Sequence, residues 1–201
     1  MKMKKCPRCG STRLAPILYG YPLFDDELQK KLEEEKLALG GCCITGCDPK
    51  YHCFECDSDV GTPPVLLSEQ GKADYREIVT ALHFQYGGFF SGSKEMEIKD
   101  TGESIQLEVS PGFYTANAGL KRELGRDEWD KLLNRLFCTL YIHEWEKEFI
   151  NENLVLDGEE WELSLKLAGY QELFYSGSNA YPPYWKELKN TFKPFFKEAG
   201  L

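Results

Sequence analysis

Four cysteines have the spacing of ligands for a single metal ion. Cys6 and Cys9 form one Cys-x-x-Cys pair, and Cys53 and Cys56 form another. Two thiolates at this spacing in a tight turn reach the same tetrahedral ion, and four thiolates fill its coordination sphere. We therefore predict a structural zinc site held by Cys6, Cys9, Cys53 and Cys56, with no open position for a substrate or an activated water. An iron–sulfur cluster on the same thiolates is the alternative.

The residues around these pairs favour a fold that depends on the metal. Gly10 follows the first pair and Asp57 the second. Both residue types tolerate the left-handed turn that directs amide N–H groups at the sulfurs. Residues 1–62 contain little apolar sequence, so a metal ion is expected to supply the stability that a small core lacks. Of the eight cysteines only Cys138 lies beyond residue 56, which marks a compositional boundary.

The start of the chain gives no sign of export. Residues 1–7 are basic with no apolar run behind them, and no stretch approaches the roughly 20 apolar residues of a membrane span. We therefore expect a cytoplasmic protein without membrane segments. Its cysteines should stay reduced, so clustered thiols indicate a metal rather than disulfides.

Between the two cysteine pairs the sequence predicts a helix, which is followed by three further cysteines. Asp25 or Asp26 is the expected N-cap and Gly40-Gly41 the stop, with three leucines toward one side: Leu28, Leu32 and Leu37. After the helix, a second metal or thiol site is one hypothesis, with these residues: Cys42 or Cys43, Cys47 and His52. The alternative is that these thiols pack as small apolar groups. A redox role for the adjacent cysteines Cys42 and Cys43 is a further hypothesis.

The N-terminal motifs together resemble a known kind of segment. Cys-Pro-x-Cys-Gly, Tyr19-Gly20-Tyr21-Pro22, a leucine-rich helix, Gly-Gly-Cys-Cys and Cys-x-x-Cys are similar to a zinc-ribbon segment of uncharacterised bacterial proteins. The resemblance covers about the first third of the chain and implies a small cytoplasmic metal module without an established activity. The chain departs from it at Asp57, where a glycine is usual, and at Cys47, which is extra. The short Gly-Ser-Asn-Ala-Tyr-Pro segment also resembles one in bacterial proteins of β-β-α layout.

Residues 63–201 are predicted to form a second domain after a linker at Gly61-Thr62-Pro63-Pro64. Apolar residues alternate from Ile78 to Tyr86 and in two hairpins, with turns at Asp100–Gly102 and at Gly169. Two amphipathic helices follow the strands, one capped by Asp127 and one with Pro183 in its first turn. The predicted order is β-β-β-α-β-β-α. We expect an α+β fold in which a zinc ribbon, residues 1–62, precedes a two-layer domain of antiparallel sheet with two helices on one face.

The charge of the chain favours a basic partner. The net charge is −9, with the excess of acidic residues beyond residue 62. This balance disfavours nucleic-acid binding, which depends on clustered Lys and Arg. One acidic run could steer a basic protein toward the surface: Glu144, Glu146, Glu148, Glu152, Asp157, Glu159, Glu160 and Glu162. Tyr181 and Tyr184 are expected to be exposed anchors. A solvated acidic face that keeps the protein soluble is the alternative.

Motifs for catalysis are weak in this sequence. Neither a phosphate-binding loop nor a dinucleotide-binding glycine pattern is present. His143-Glu144 starts like a metalloprotease helix but lacks the second histidine, and we interpret it as an exposed helix end. Cys138 is expected in the core and His83 on the surface.

The sequence therefore predicts a non-enzymatic zinc protein that binds a basic protein partner, as an immunity protein binds a toxin or nuclease. The alternative is an enzyme with an open metal or thiol site at Cys42, Cys43, Cys47 and His52. A third hypothesis is a nucleic-acid factor, which is supported only by the basic start of the chain: Lys2, Lys4, Lys5 and Arg8.

Overall fold

The computed structural model describes residues 3–68, 71–88, 92–112, 119–151 and 158–201. Over these residues the chain is mixed α+β, with more strand than helix, which confirms the predicted fold class. No helix in these ranges combines the length and the apolar character needed to cross a bilayer.

The N-terminal part forms a small sheet next to the cysteine pairs. Its elements are β1 (Leu14–Leu18), α1 (Asp26–Glu33), β2 (Ala38–Leu39), β3 (Tyr51–Cys53) and β4 (Ser58–Val60). The strand order is β2-β1-β3-β4, in which only the β1–β2 pair is parallel. Because β3 ends at Cys53 and pairs with β1 through Leu14, the sheet fixes the second cysteine pair beside the first strand.

The rest of the chain forms a two-stranded hairpin and a larger mixed sheet. The hairpin is β5 (Val65–Ser68) with β6 (Gly71–Asp74), followed by a one-turn helix, α2 (Tyr75–Ile78). The sheet strands are β7 (Val79–Gly88), β8 (Gly92–Asp100), β9 (Ile105–Pro111), β10 (Leu120–Glu123), β11 (Glu148–Ile150), β12 (Glu159–Leu167) and β13 (Tyr170–Ser178). The longer helices are α3 (Arg126–Cys138) and α4 (Trp185–Glu198), with a 3-10 turn at Ile142–Glu144.

Among the described residues the large sheet has the strand order β10-β9-β8-β7-β12-β13-β11. All neighbours are antiparallel except β11 and β13, so the expectation of a purely antiparallel sheet is wrong at one edge. The two predicted hairpin turns are confirmed, and Gly102 and Gly169 supply their left-handed residues, with φ of +86° and +76°. These turns favour glycine because a side chain is disfavoured at positive φ.

One face of the large sheet is buried and the other is polar. In β9 the apolar residues Ile105, Leu107 and Val109 are buried, while Gln106 and Glu108 between them are exposed. The same alternation runs through β8 and β12. This period of two is the pattern expected of a half-buried strand. The buried side chains join those of α3 and α4 in one apolar cluster.

Aromatic packing links α4 to the central strands. The ring of Phe84 on β7 lies 4.6 Å from the ring of Phe192, centroid to centroid. The ring of Trp161 on β12 lies 5.0 Å from that of Trp185. Because large aromatic side chains bury the most apolar area, these contacts contribute much of the stability of this part of the chain.

The predicted helix start is correct at α1 and wrong at α3, and the predicted stop of α1 at Gly40-Gly41 is also wrong. Asp25 caps α1, and its carboxylate accepts a hydrogen bond from the amide of Leu28 at 2.8 Å. The N-cap of α3 is Gly125 rather than Asp127, which lies in the first turn. There its charge still favours the positive end of the helix dipole.

Two further boundaries differ from those predicted. Helix α1 ends at Glu33, soon before Glu35 adopts a left-handed φ of +53°, so Leu37 lies outside the helix. Helix α4 begins at Trp185, and Pro183 precedes it.

The N-terminal part is held against the rest of the chain by partly buried polar contacts. The Glu144 carboxylate accepts hydrogen bonds from the amides of Gly61 and Thr62, at 3.0 and 2.6 Å. Lys5 forms an ion pair with Glu187, with 3.0 Å between Nζ and Oε1. These contacts hold the expected linker in place.

The interpretation of His143-Glu144 as an exposed helix end is wrong. The side chains of His143 and Glu144 are 5% and 7% exposed. His143 Nε2 lies 3.3 Å from the carbonyl oxygen of Thr62, and its ring is packed by Tyr75 and Phe137. The motif does not predict this burial, because the linker residues that cover the two side chains, Gly61 and Thr62, lie far away in sequence.

We predict that Phe84→Ala lowers the free energy of unfolding by about 3–5 kcal/mol, since it leaves a cavity beneath α4. Urea denaturation measures this loss. Gln85→Ala, a neighbouring change on the polar face of the same strand, should stay within about 0.5 kcal/mol. Equal losses in the two variants would contradict the assignment of the two faces.

We predict that stability falls as the pH drops from about 7.5 to about 5.5, in part through His143. Burial lowers the pKa of His143 below 6.5, although Glu144 opposes the shift. In this window the unfolded chain binds the proton more readily than the folded chain, so stability rises with pH. Urea unfolding of His143→Gln should show a shallower pH slope than the wild-type protein. An unchanged slope would rule out His143 as a source of this dependence.

Candidate metal centre

The four predicted cysteines converge on one point. The sulfur atoms of Cys6, Cys9, Cys53 and Cys56 all lie within 4.8 Å of one another. The Sγ atoms of Cys6 and Cys56 are 3.7 Å apart, and those of Cys9 and Cys53 are 3.6 Å apart. Two sulfurs on a tetrahedral zinc ion, each about 2.3 Å from the metal, are about 3.8 Å apart. The cluster therefore has the dimensions of a four-thiolate zinc site.

These separations do not correspond to disulfides. A sulfur–sulfur bond is about 2.0 Å long, and all eight cysteines are free. Sulfur donors alone, in a set of four, suit zinc or an iron–sulfur centre rather than magnesium or calcium, which prefer oxygen. The structure thus brings together four sulfur ligands, the number that a tetrahedral metal ion requires.

Local turns present the sulfurs to a common centre. Gly10 and Asp57, each next to the second cysteine of a pair, have φ values of +79° and +51°. This confirms the left-handed turns predicted from the sequence. The amides of Arg8 and Cys9 interact with the Cys6 sulfur, and those of Glu55 and Cys56 with the Cys53 sulfur. Amide hydrogen bonds stabilise a thiolate over a thiol.

Burial disfavours the charged thiolate form of these cysteines unless a cation lies beside them. Cys6 and Cys53 are fully buried, and burial raises the pKa of Cys6 to about 12. Burial also pushes the pKa of Cys53 upward, but the amides of Cys56 and Glu55 outweigh it and the net shift is downward. Thiolates in such a site are stabilised by a metal ion, whose binding releases the thiol protons.

The apolar core beside the cluster is small. The buried residues of this core are Met3, Cys6, Cys53 and Val60, so two of its four members are candidate ligands. Tyr141, which follows α3 in the chain, also packs against it. A core of this size rarely stabilises a fold alone, so a metal ion held by the cluster would supply stability that the core lacks.

The second metal or thiol site is not assembled in the structure. Cys42 and Cys43 are exposed and Cys47 is half-buried. In the described part of the chain, the four-cysteine cluster is the one group of three or more potential ligands close enough to share an ion. His52 instead places Nδ1 2.8 Å from Asp59 and Nε2 3.5 Å from Asp57. The alternative that these thiols pack as buried apolar groups is wrong for the exposed pair.

The acidic run divides between buried and exposed positions. Glu144 is buried against the linker, so it does not contribute to an open surface. Glu146, Glu148 and Glu160 are exposed, whereas Glu159 is half-buried. Glu152 and Asp157 lie outside the described residues.

The two tyrosines differ as well. Tyr181 is 40% exposed and stacks on Trp185, with 5.0 Å between ring centroids. The expectation that Tyr184 is exposed is wrong, because it is 5% exposed and its hydroxyl donates to the carbonyl of Lys5 at 2.8 Å. Cys138 is half-buried rather than in the core. His83 is partly exposed, as expected, and lies 2.9 Å from Glu95.

Sequence reasoning missed several acidic residues on the polar face of the sheet. Glu95, Glu97 and Glu108 alternate with buried residues on β8 and β9. The period-two pattern could have placed them on the polar face, but their distance from Glu160 and Glu162 depends on the strand order, in which β7 lies between β8 and β12. Glu97 and Glu108 form ion pairs with Lys99 and Lys121, and Glu95 lies 2.9 Å from His83.

Comparison of the chain with models of protein families, with curated proteins and with solved structures gave no match.

We predict that Cys56→Ser abolishes binding of the metal ion, because three thiolates and a hydroxyl hold zinc far more weakly than four thiolates. Metal content per chain, measured by elemental analysis of purified protein, should fall from one zinc to less than about a tenth. Cys42→Ser is the matched control and should keep one zinc. Loss of metal in Cys42→Ser but not in Cys56→Ser would contradict the ligand assignment.

We predict that a chelator unfolds residues 3–62 while the large sheet stays folded. Binding of structural zinc is worth on the order of 10 kcal/mol and is coupled to folding. Hydrogen exchange should then quicken at β1 and β3 and stay slow at β7 and β12. Simultaneous loss of protection in all four strands would contradict separate folding of the two parts.

Proposed function

We propose that this protein is a non-enzymatic, zinc-stabilised module that binds a basic protein partner. The observation that carries the proposal is the four-sulfur cluster, whose ligands are all supplied by the chain. A zinc ion there has no open position for a substrate or a reactive water, so its role is structural. The N-terminal part is then a zinc ribbon with a helical insert, as the resemblance to bacterial zinc-ribbon segments implies.

The proposed architecture is a zinc ribbon, residues 1–62, attached to a two-layer domain. In that domain, α3 and α4 cover one face of the sheet and leave the other open. The aromatic contacts of Phe84 and Trp161 with α4 support this arrangement. So does the joint burial of both helices with the apolar face in one cluster. The open face is then available to a partner.

The partner surface on that open face is an acidic patch with two apolar members. We call it the acidic sheet face and define it by five residues: Glu148, Ile150, Glu160, Glu162 and Phe174. Glu148 and Glu162 both pair with Ser176, and Ile150 and Glu160 both pair with Ser178, so the four share one face. Ile150 is 64% exposed and Phe174 46% exposed.

The charges of this surface favour a basic partner. In the described part of the chain, none of its three glutamates forms an ion pair with a Lys, Arg or His side chain. Unpaired carboxylates next to exposed apolar groups match the composition of a binding surface, with charge for steering and apolar area for affinity. A toxin or nuclease neutralised by an immunity protein is one basic partner of this kind. Placement in the cytoplasm is part of the same proposal.

The structure gives less support to the two other functions. An enzyme centred on Cys42, Cys43 and Cys47 would need these thiols to converge on one site. A nucleic-acid factor would use the basic side chains near the N-terminus, and one of these, Lys5, is paired with Glu187.

We predict that protein isolated gently from its source cells carries one zinc and a defined basic companion, visible by native mass spectrometry. The triple variant Glu148→Gln, Glu160→Gln, Glu162→Gln should lose the companion and keep the zinc. Steering between opposite charges weakens with salt, so the complex should also dissociate more readily at high ionic strength.

The matched control removes the same charge elsewhere, in α1 and just after it, by Glu27→Gln, Glu33→Gln, Glu34→Gln. This control should keep the companion. A companion that the acidic-sheet-face variant retains, or that binds equally well at high salt, would exclude the proposed surface.

A further inference from the structure

We call residues 3–62 the N-terminal module. A cleft of about 370 Å³ lies where this module meets α3 and α4. Its walls come from both parts of the chain, with Met3, Lys4 and Thr12 on one side and Arg135, Leu140 and Tyr184 on the other. Clefts between domains, with volumes of about 300–1,000 Å³, are common places for small-molecule sites. The acidic sheet face shares no residue with this cleft.

The walls of the cleft are mainly apolar. Met3, Leu140 and Tyr184 are buried, and Lys5 Nζ lies 4.6 Å from the centroid of the Tyr184 ring. The half-buried side chains of Cys138 and Tyr141 are the part of the wall left for contact. An apolar wall of this kind favours a ligand with an apolar body.

The charge of the cleft is positive although the protein as a whole is acidic. Lys5 is neutralised by Glu187, which also lines the cleft. Lys4 and Arg135 remain, and over the ranges that the structure describes neither side chain has an acidic partner. Two unpaired cations at the edge of an apolar cleft are suited to a carboxylate, sulfonate or phosphate group.

Hydroxyl groups add neutral donors at the same place. Thr12 and Thr139 both line the cleft, and the structure gives no partner to either hydroxyl within its described ranges. The carbonyl of Arg135, at the end of α3, already accepts from the amides of Thr139 and Leu140. Because this carbonyl is already hydrogen-bonded at the end of the helix, the neutral groups left to contact a ligand are the hydroxyls of Thr12 and Thr139.

We propose that this cleft binds a small organic anion. The apolar body of the anion packs on Cys138 and Tyr141, and its charged group is held by Lys4 and Arg135. This site is additional to the proposed protein-binding function and does not rest on it. It does require the N-terminal module to be folded, because that module supplies Met3 and Lys4.

The test uses the full-length, metal-loaded protein and the probe 1-anilinonaphthalene-8-sulfonate, which joins an aromatic body to a sulfonate. Fluorescence titration should give one saturable site. Arg135→Gln and Lys4→Gln should each weaken binding about tenfold, which corresponds to about 1.4 kcal/mol. Lys193→Gln, the matched control on the exposed side of α4, should bind as the wild-type protein does.

The location of the probe is tested by alkylation of Cys138, which lines the cleft. Saturating probe should slow the reaction of Cys138 with iodoacetamide at least fivefold and leave exposed Cys42 unaffected, as read by mass spectrometry of peptides. Absence of saturable binding, binding unchanged in both charge variants, or an unprotected Cys138 would each overturn the proposal. None of these results depends on a protein partner, so failure here is distinct from failure of the proposed function.

Discussion

The rest of the N-terminal module depends on one constraint, the approach of four sulfur atoms to within 4.8 Å of each other. Four thiolates at this distance repel one another, and burial of Cys6 and Cys53 removes the water that would screen them. A divalent cation at the centre would turn this repulsion into attraction. Since the four cysteines lie in turns at residues 6–9 and 53–56, such an ion would close a loop that contains α1, β1 and β2. The small core around Met3 and Val60 is then sufficient.

The position of the module depends in turn on a second set of buried interactions. Glu144 satisfies the amides of Gly61 and Thr62, and Tyr184 satisfies the carbonyl of Lys5. Leaving a buried donor or acceptor without a partner costs about 1–3 kcal/mol, so these contacts specify one orientation of the two parts. That orientation also creates the cleft between Met3 and Tyr184. The cysteine cluster, the docking contacts and the cleft therefore depend on one arrangement of the N-terminal residues against α3 and α4.

Local features could be predicted from the sequence, and features that depend on distant partners could not. The spacing of Cys6 and Cys9, the left-handed residues Gly10 and Asp57, the cap at Asp25 and the alternation along β9 follow from chemistry within a few residues. The burial of Glu144 and Tyr184 is set by residues that lie far away in sequence. The parallel pairing of β11 was missed because a strand of three residues, next to acidic sequence, gives no periodic signal. The exposure of Cys42 and Cys43 likewise depends on how the insert is packed.

X-ray absorption at the zinc edge of the purified protein tests the central claim most directly, because it reports the number, type and distance of the atoms bound to the metal. A four-cysteine zinc site should give four sulfur neighbours at about 2.3 Å. It should give no nitrogen or oxygen neighbour at about 2.0–2.2 Å, where histidine, carboxylate or water would lie. A mixed shell with nitrogen or oxygen would mean an open or different site and would favour an enzyme. Protein that is folded at residues 3–62 and carries no metal would show that this part of the chain does not need zinc to fold.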